Sequence, residues 1–454
     1  MSAAIRWMVV PWRELERWDY LSNFQRRTLR CKHSLIPLGE VFTVRRQLAI
    51  GGEISAGHVR MVDRVSFDGE VFAGERKQTK MDQWIAEPGD IVISKIRARQ
   101  GSVGLVEPGQ GKVSVTIHYR ALTPNRTKVD AKFAHLAMRS EFGKAQFLAA
   151  TGGAMKGEIS ESALLNVKLP LPPLPVQRKI VAAWEAARNY AALAAAKIQR
   201  LQREIETRFL ADLGLKVPQR AKLPKAFAVS WSELERWSVM FNQLASVAID
   251  ISSGKFPVTN LGDVAAVSYG IQKCPANRPG QHPRPYLRVA NVQRGQLDLR
   301  EIKYIDVPDK ELANLRLEPG DLVVCEGNSA DLVGRPAMWR GEISDCVHQN
   351  HILKVRVNRS EAIPEFLLEY MSSVPARNHF RARAKFTTNL ASINSNDLRE
   401  LYLPLPALRV QQAMIERVQS GRAEIAKLKA DAKARADVAR ADVEAMILGT
   451  KPVA

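Results

Sequence analysis

Between Ile180 and Ile205 the apolar positions fall at Ile180, Trp184, Ala187, Ala191, Ala194, Ile198, Leu201 and Ile205. The steps alternate between four and three, which is the seam of a coiled coil and narrower than the apolar face of a helix lying on a globular core. One such helix cannot bury its own stripe. The chain supplies a second seam at Met414, Val418, Gly421, Ile425, Leu428 and Ala432. A proline run announces each helix: Leu169-Pro170-Leu171-Pro172-Pro173-Leu174-Pro175-Val176-Gln177 before the first, Leu403-Pro404-Leu405-Pro406-Ala407-Leu408-Arg409-Val410-Gln411 before the second. Residues that precede proline are held out of helix, so the helices start no earlier than Pro175 and Ala407. Gly214 with Pro218, and Gly449 with Pro452, predict the stops. At about 1.5 Å per residue, a helix of about 38 residues is about 57 Å long. The two are expected to pair antiparallel, because each follows its own domain and the chain must return; the rival arrangement pairs each helix with a partner protein.

The same chain is internally duplicated. Trp12-Arg13-Glu14-Leu15-Glu16-Arg17-Trp18 returns as Trp231-Ser232-Glu233-Leu234-Glu235-Arg236-Trp237, a pattern too long to arise easily by chance. Leu38-Gly39-Glu40-Val41 answers to Leu261-Gly262-Asp263-Val264, and Glu87-Pro88-Gly89-Asp90-Ile91-Val92 to Glu318-Pro319-Gly320-Asp321-Leu322-Val323. His118, Phe133 and Met138 match His351, Phe366 and Met371. Short β-branched runs at residues 90–96, 113–117, 321–325 and 352–357 lie between Gly and Pro turns, which is strand punctuation. Helical stretches follow at residues 131–150 and 364–383. The expected class is α+β, with two repeated globular domains, a predominantly antiparallel sheet in each, and two long helices forming an antiparallel coiled coil.

Charge narrows the partners. The chain has 67 Lys and Arg against 47 Asp and Glu, a formal net charge of +20. A surplus of this size favours a polyanion, nucleic acid first among them, over a basic protein with no such partner. No apolar run approaches the roughly 20 residues that span a bilayer, and Arg6 and Pro11 to Arg13 break any signal-peptide core, so no membrane association and a cytoplasmic location are expected. Cys31, Cys274, Cys325 and Cys346 form no CxxC pair and fit a reducing compartment. Cys346, His348 and His351 lack a fourth metal ligand at a suitable spacing, so no metal is expected.

Enzyme chemistry finds no support in the residues. There is no Asn-Pro-Pro-Tyr or Asp-Pro-Pro-Tyr stretch and no Gly-rich cofactor loop; Gly109-Gln110-Gly111-Lys112 lacks P-loop spacing. Asp90 and Lys95 lie on one predicted strand, but no acid stands two residues before the lysine, as a metal-dependent nuclease centre would need.

The layout of domain, long helix, domain, long helix resembles the specificity subunits of type I restriction-modification systems. The second half carries the closest likeness, in Pro285-Tyr286-Leu287-Arg288-Val289-Ala290-Asn291-Val292-Gln293-Arg294-Gly295, in Glu318 to Val323, and in Glu326-Gly327-Asn328-Ser329 followed by Gly334-Arg335. In the first half Pro88 to Arg97 and the junction at Leu169 to Gln177 are similar. The family often has Glu-Gln at the junction, where this chain has Val176-Gln177 and Val410-Gln411, and the first domain lacks the Tyr-Leu-Arg-Val-Ala-Asn-Val strand. The resemblance implies target-recognition domains at residues 1–174 and 227–408, spacer helices at 175–213 and 409–448, and a linker at 214–226. It implies a non-catalytic subunit whose two domains each read half of a split, asymmetric target in double-stranded DNA. Two adenine methyltransferase subunits and restriction/translocase subunits are the implied protein partners, and S-adenosylmethionine, ATP and Mg²⁺ belong to them. A subunit serving only a modification enzyme, or a coiled-coil assembly protein that reads no DNA, is the alternative.

Candidate contacts follow from chemistry and periodicity. Along Ile91 to Arg99 a period of two places Lys95, Arg97 and Arg99 on one strand face, where three cations call for an anion such as DNA phosphate; a solvated edge guarding against strand pairing is the plainer reading. Gly101, Ser102 and Gly104 would permit close backbone approach. In the second half Arg278, Arg284, Arg288 and Arg294 surround Tyr286. Arginine reads guanine, and Asn or Gln reads adenine, so Asn291, Gln293, Gln349 and Asn350 are candidates for base edges. Phosphate or structural roles are the competing reading for each. The pairs Arg26-Arg27, Arg45-Arg46 and Arg76-Lys77 are uninformative individually.

Overall fold

A computed structural model describes residues 31–49, 54, 59–74, 83–151, 157–216, 226–234, 237–245, 249–274, 278–387 and 390–453. The first tryptophan motif (residues 12–18), Glu235 and Arg236 of the second, Arg26-Arg27 and Arg76-Lys77 lie outside the described residues. The chain divides into two compact units, residues 1–195 with 429–454, and residues 196–428.

In the first unit, Phe42–Val44, Tyr119–Pro124, Ile91–Ser94 and Val103–Leu105 form an antiparallel sheet in that order. The central strand Ile91–Ser94 is buried along its whole length, as its continuous apolar run requires. A second sheet runs Val71–Gly74, Arg60–Val65, Val113–Val115, Trp84–Ala86, with one parallel pair between Arg60–Val65 and Val113–Val115. Phe133, Met138 and Phe147 close the core over the first sheet, and Ile180, Val181, Val443 and Ile447 of the long helices belong to the same apolar cluster.

The second unit repeats this plan. Ala265–Tyr269, Ile352–Val357, Leu322–Cys325 and Pro336–Met338 form the matching antiparallel sheet. Lys303–Asp306, Pro283–Leu287 and Val347–His348 form the companion, again with one parallel pair, between Pro283–Leu287 and Val347–His348. A small sheet of Gly327–Asn328, Ala391–Ser392 and Lys385–Phe386 is added. The fold is thus α+β, with two β-rich domains and two long helices packed together.

The repeated Pro-Gly-Asp does the same work twice. Gly89 (φ 95°) and Gly320 (φ 99°) turn the chain in the left-handed region. Asp90 then accepts the Glu87 N–H at 2.8 Å and pairs with Arg45 at 2.5 Å, and Asp321 accepts the Glu318 N–H at 2.8 Å and pairs with Arg356 at 2.7 Å. Both aspartates are buried, so each turn is fixed by a charge with its partner beside it.

Two expectations are corrected. Residues 131–150 and 364–383 are each two helices, Ala131–Arg139 with Glu141–Ala150, and Pro364–Ser372 with Val374–Arg383. Ser140 and Ser373 break them with extended backbone, and the Ser140 hydroxyl caps the second helix by accepting the Gly143 N–H at 3.0 Å. The strand predicted over Ile91 to Arg99 ends at Ser94. Its hydroxyl accepts the Arg97 N–H at 3.2 Å, and a 3₁₀ turn at Ala98–Gln100 ends at left-handed Gly101 (φ 97°), so Lys95, Arg97 and Arg99 share no strand face.

The long helices run Leu174–Asp212 and Leu408–Ile447, so the first starts one residue before the predicted limit at Pro175, with Pro175 inside its first turn. Every predicted seam residue is buried or half-buried, while most of the intervening positions are exposed. In the first unit Tyr190 hydrogen-bonds Asp431 and stacks under Arg435. In the second, Lys197 pairs with Glu424 at 3.6 Å and Asp212 with Arg417 at 2.8 Å, so rising numbers on one helix meet falling numbers on the other and the pair is antiparallel. Ile205 packs on Gly421, where an added Cβ would lie 2.8 Å from its terminal carbon.

Candidate nucleic-acid interface

Each domain is fastened to its own long helix by one buried glutamine at the end of the proline run. The Gln177 Oε1 accepts the Asp130 N–H at 2.8 Å, and its Nε2 donates to the carbonyls of Lys128 (3.1 Å) and Pro172 (2.8 Å). Gln411 does the same with the Ile363 N–H (2.8 Å) and the carbonyls of Glu361 (3.0 Å) and Pro406 (2.7 Å). Both are 0% exposed. An amide is required at this position because one side chain must accept once and donate twice.

A second fastening uses the opposite copy's helix. Glu444 accepts the N–H groups of Glu141 and Phe142 at 3.3 Å, at the start of helix Glu141–Ala150. Glu206 accepts the Val374 N–H at 2.7 Å, at the start of helix Val374–Arg383. A carboxylate at a helix N-terminus is favourably placed; burial nevertheless raises the Glu444 carboxyl above its ordinary range.

Among the predicted contacts, some are consumed by the fold. Tyr286 is 3% exposed and lies in an apolar cluster. The Asn291 Oδ1 accepts the Arg288 N–H at 2.9 Å, and its Nδ2 donates to the carbonyls of Asp298 and Glu301 at 2.8 and 3.0 Å. Tyr286 is thus part of the core, and both ends of the Asn291 amide are engaged by backbone. Arg284 is paired with Asp309 and Asp345, Arg288 holds Glu301, and Lys95 pairs with Glu158 at 2.6 Å.

Others remain presented. Arg97 and Arg278 are exposed, and no ion pair holds them among the described residues. Arg99, two residues after Arg97, is half-buried. Gln293 donates to the Ala290 carbonyl at 3.1 Å and keeps its oxygen. Gln349 and Asn350 are held by their backbones, which donate to the Leu287 and Ile271 carbonyls at 3.0 and 2.9 Å, leaving half-buried side-chain amides at the end of the companion sheet. Arg294 donates to the Asp331 carbonyl at 3.0 Å; burial and the neighbouring Arg377 hold its guanidinium below the usual arginine range. Sequence reading missed Arg335, Arg377 and Arg381, which gather around Arg294; the spacing of Arg377 and Arg381 by one helical turn was the available signal.

A groove of about 920 Å³ in the first unit, lined by Phe67, Trp184, Arg139, Arg188, Arg440 and Glu444 among others, holds none of the predicted contacts. Cys346 and His348 are buried; burial pushes the Cys346 thiol up to about 12 and the His348 imidazole down to about 4. Among the described residues no group of three or more His, Cys, Asp or Glu is arranged to hold a metal, and no helix is long and apolar enough to cross a membrane.

Residues 36–203 match the family described as type I restriction modification DNA specificity domain. The chain is similar to the putative type I restriction enzyme MjaX specificity subunit of Methanocaldococcus jannaschii, 29% identical over 129 residues that make 28% of this chain and 30% of that one. It is also similar to the type I restriction enzyme EcoKI specificity subunit of Escherichia coli K12, 21% identical over 302 residues, 66% of this chain and 60% of that one. The matches therefore span less than two thirds of either relative. A chain from a solved structure titled for complex assembly and conformational transition of the type I R-M system overlays with a TM-score of 0.58 at 17% identity, covering 92% of this chain and 97% of that one, and shows a shared fold.

Proposed function

We propose that this chain is a non-catalytic specificity subunit of the type I restriction-modification kind, the family whose model matches residues 36–203, and that it reads a split, asymmetric target in double-stranded DNA. The observation that carries the proposal is the duplication itself. The two domains share the order of their four-stranded antiparallel sheet and of three companion strands that include the single parallel pair, and each is latched to a seam-forming helix by an identical glutamine, while side chains at corresponding places differ, as Ser102 and Arg335 do. A kept scaffold with changed surface groups suits two readers of two different half-sites. The formal charge of +20 supplies the sequence-independent attraction to phosphate.

In this reading residues 1–174 and 227–408 are the recognition domains and residues 175–213 and 409–448 the spacer helices. Two adenine methyltransferase subunits dock on the chain and restriction/translocase subunits join them; S-adenosylmethionine, ATP and Mg²⁺ are held by those partners, and the assembly works in the cytoplasm. Arg97, Arg99, Arg278, Gln293, Arg294, Gln349 and Asn350 are the DNA contacts in this reading. Co-expression with its cognate methyltransferase subunit in a methylation-free host, followed by mapping of methylated adenines, tests the proposal. A motif of two short halves across a fixed gap, lost when the chain is omitted, is expected. Methylation that persists without the chain would overturn it.

A further inference from the structure

The second unit gathers four arginines from three separate stretches of chain. Arg294 lies in the turn between Val292–Gln293 and Gln296–Leu297 and donates to the Asp331 carbonyl at 3.0 Å. Arg381, on helix Val374–Arg383, reaches the Asp331 carboxylate at 3.9 Å, and Arg377 one turn earlier pairs with Glu206 at 3.1 Å. Arg335 stands behind them, 5% exposed, donating to the Val289 carbonyl at 3.0 Å. Among the described residues two carboxylates, Glu206 and Asp331, pair with this group of four guanidinium groups, and the Asp331 side chain is 85% exposed, so much of its charge is answered by water.

The Nε atoms of Arg335 and Arg381 are buried without a hydrogen-bond partner. A buried cationic donor without an acceptor is costly, and like charges in a small space repel. One ligand relieves both: an anion with several oxygens, which planar guanidinium groups bind through paired N–H donors.

The cluster is not part of the shared scaffold. At the positions corresponding to Arg335, Arg377 and Arg381 the first unit has Ser102, Lys144 and Leu148, and Lys144 is already paired with Glu141 at 2.9 Å. Arginines needed only to hold the fold would be expected in both copies.

We propose that Arg294, Arg377 and Arg381, backed by Arg335, form a clamp for the phosphodiester backbone of duplex DNA on the second unit. This rests on the reading that the chain binds DNA, and it assigns these arginines to holding the duplex in register, leaving base reading to other groups.

The test is a salt titration of the full chain on a random-sequence duplex. The variant carrying Arg294→Gln and Arg381→Gln is expected to show a plot of log K against log salt shallower by about 2, at about 0.9 per lost phosphate contact. Its affinity falls about eightfold per contact at about 0.1 M salt. Arg294→Lys with Arg381→Lys keeps the charge and restores most of the slope. If the glutamine variant keeps the slope of the parent chain, the clamp is overturned and the DNA-reading function stands. If the parent chain itself shows no salt-dependent binding, both are overturned. Loss of binding in both variants, together with a lowered melting temperature, would make the arginines structural and also overturn the clamp.

Discussion

Replacing Gln411 by alanine removes one side chain and three hydrogen bonds at once. The Ile363 N–H, the Glu361 carbonyl and the Pro406 carbonyl, at 2.8, 3.0 and 2.7 Å from the amide, are left in a site with no exposed surface. A net loss of about 1 kcal/mol per bond, with an added penalty for buried groups left unpaired, gives about 3 to 5 kcal/mol. Gln411→Glu is expected to be no better: it keeps the acceptor for the Ile363 N–H but turns an acceptor towards two carbonyls. Because two units need not unfold together, guanidinium unfolding is best followed with hydrogen exchange, the Ile363 amide reporting the latch directly. Gln177→Ala makes the matching break in the first unit, at the Asp130 N–H and the carbonyls of Lys128 and Pro172, and its cost should be similar. A cost below about 1 kcal/mol for either variant would refute the argument that these glutamines fasten domain to helix.

Two further predictions concern the second unit. Gly421→Leu drives a side chain into Ile205, whose terminal carbon would lie 2.8 Å from the new Cβ, and is expected to cost about 1 to 3 kcal/mol by thermal unfolding; Gly421→Ala should be nearly neutral, since about 1 kcal/mol of helix propensity offsets a small shift of Ile205. His348 is buried, with Nδ1–H donating to the Ile352 carbonyl at 2.9 Å and Nε2 unpartnered, and burial lowers its pKa from 6.5 to about 4. Since the unfolded chain takes up the proton first, stability is present above pH 6.5 and falls by about 3 kcal/mol as pH drops to about 4; His348→Gln should abolish that part of the acid sensitivity in a pH series of denaturant melts.

Much of this architecture is written in local pattern. The seam residues repeat at four and three along both helices, and the structure buries or half-buries every one of them. Pro-Gly-Asp announces the central strand in both copies because only a left-handed glycine followed by a capping aspartate makes that turn. The failures are tertiary. A period of two through Lys95, Arg97 and Arg99 looks like a strand, yet the Ser94 hydroxyl and left-handed Gly101 convert it to a turn. Asn291 has the chemistry of an adenine reader, but the backbone groups of Arg288, Asp298 and Glu301 claim it, and no spacing in the sequence reveals that. The breaks at Ser140 and Ser373 were within reach, since each serine opens a helix: Gly143 supplies the capped N–H after the first, and Pro375 follows the second.

The central claim is that each copy reads one half-site independently. It is tested most directly with a hybrid in which residues 227–408 are replaced by the corresponding domain of another specificity subunit, both latching glutamines and both helices being kept. Methylated adenines are then mapped beside those of the parent chain. The account predicts a motif with one half unchanged, the other half replaced and the gap the same. Alteration of both halves, or an undivided motif in either strain, would contradict it.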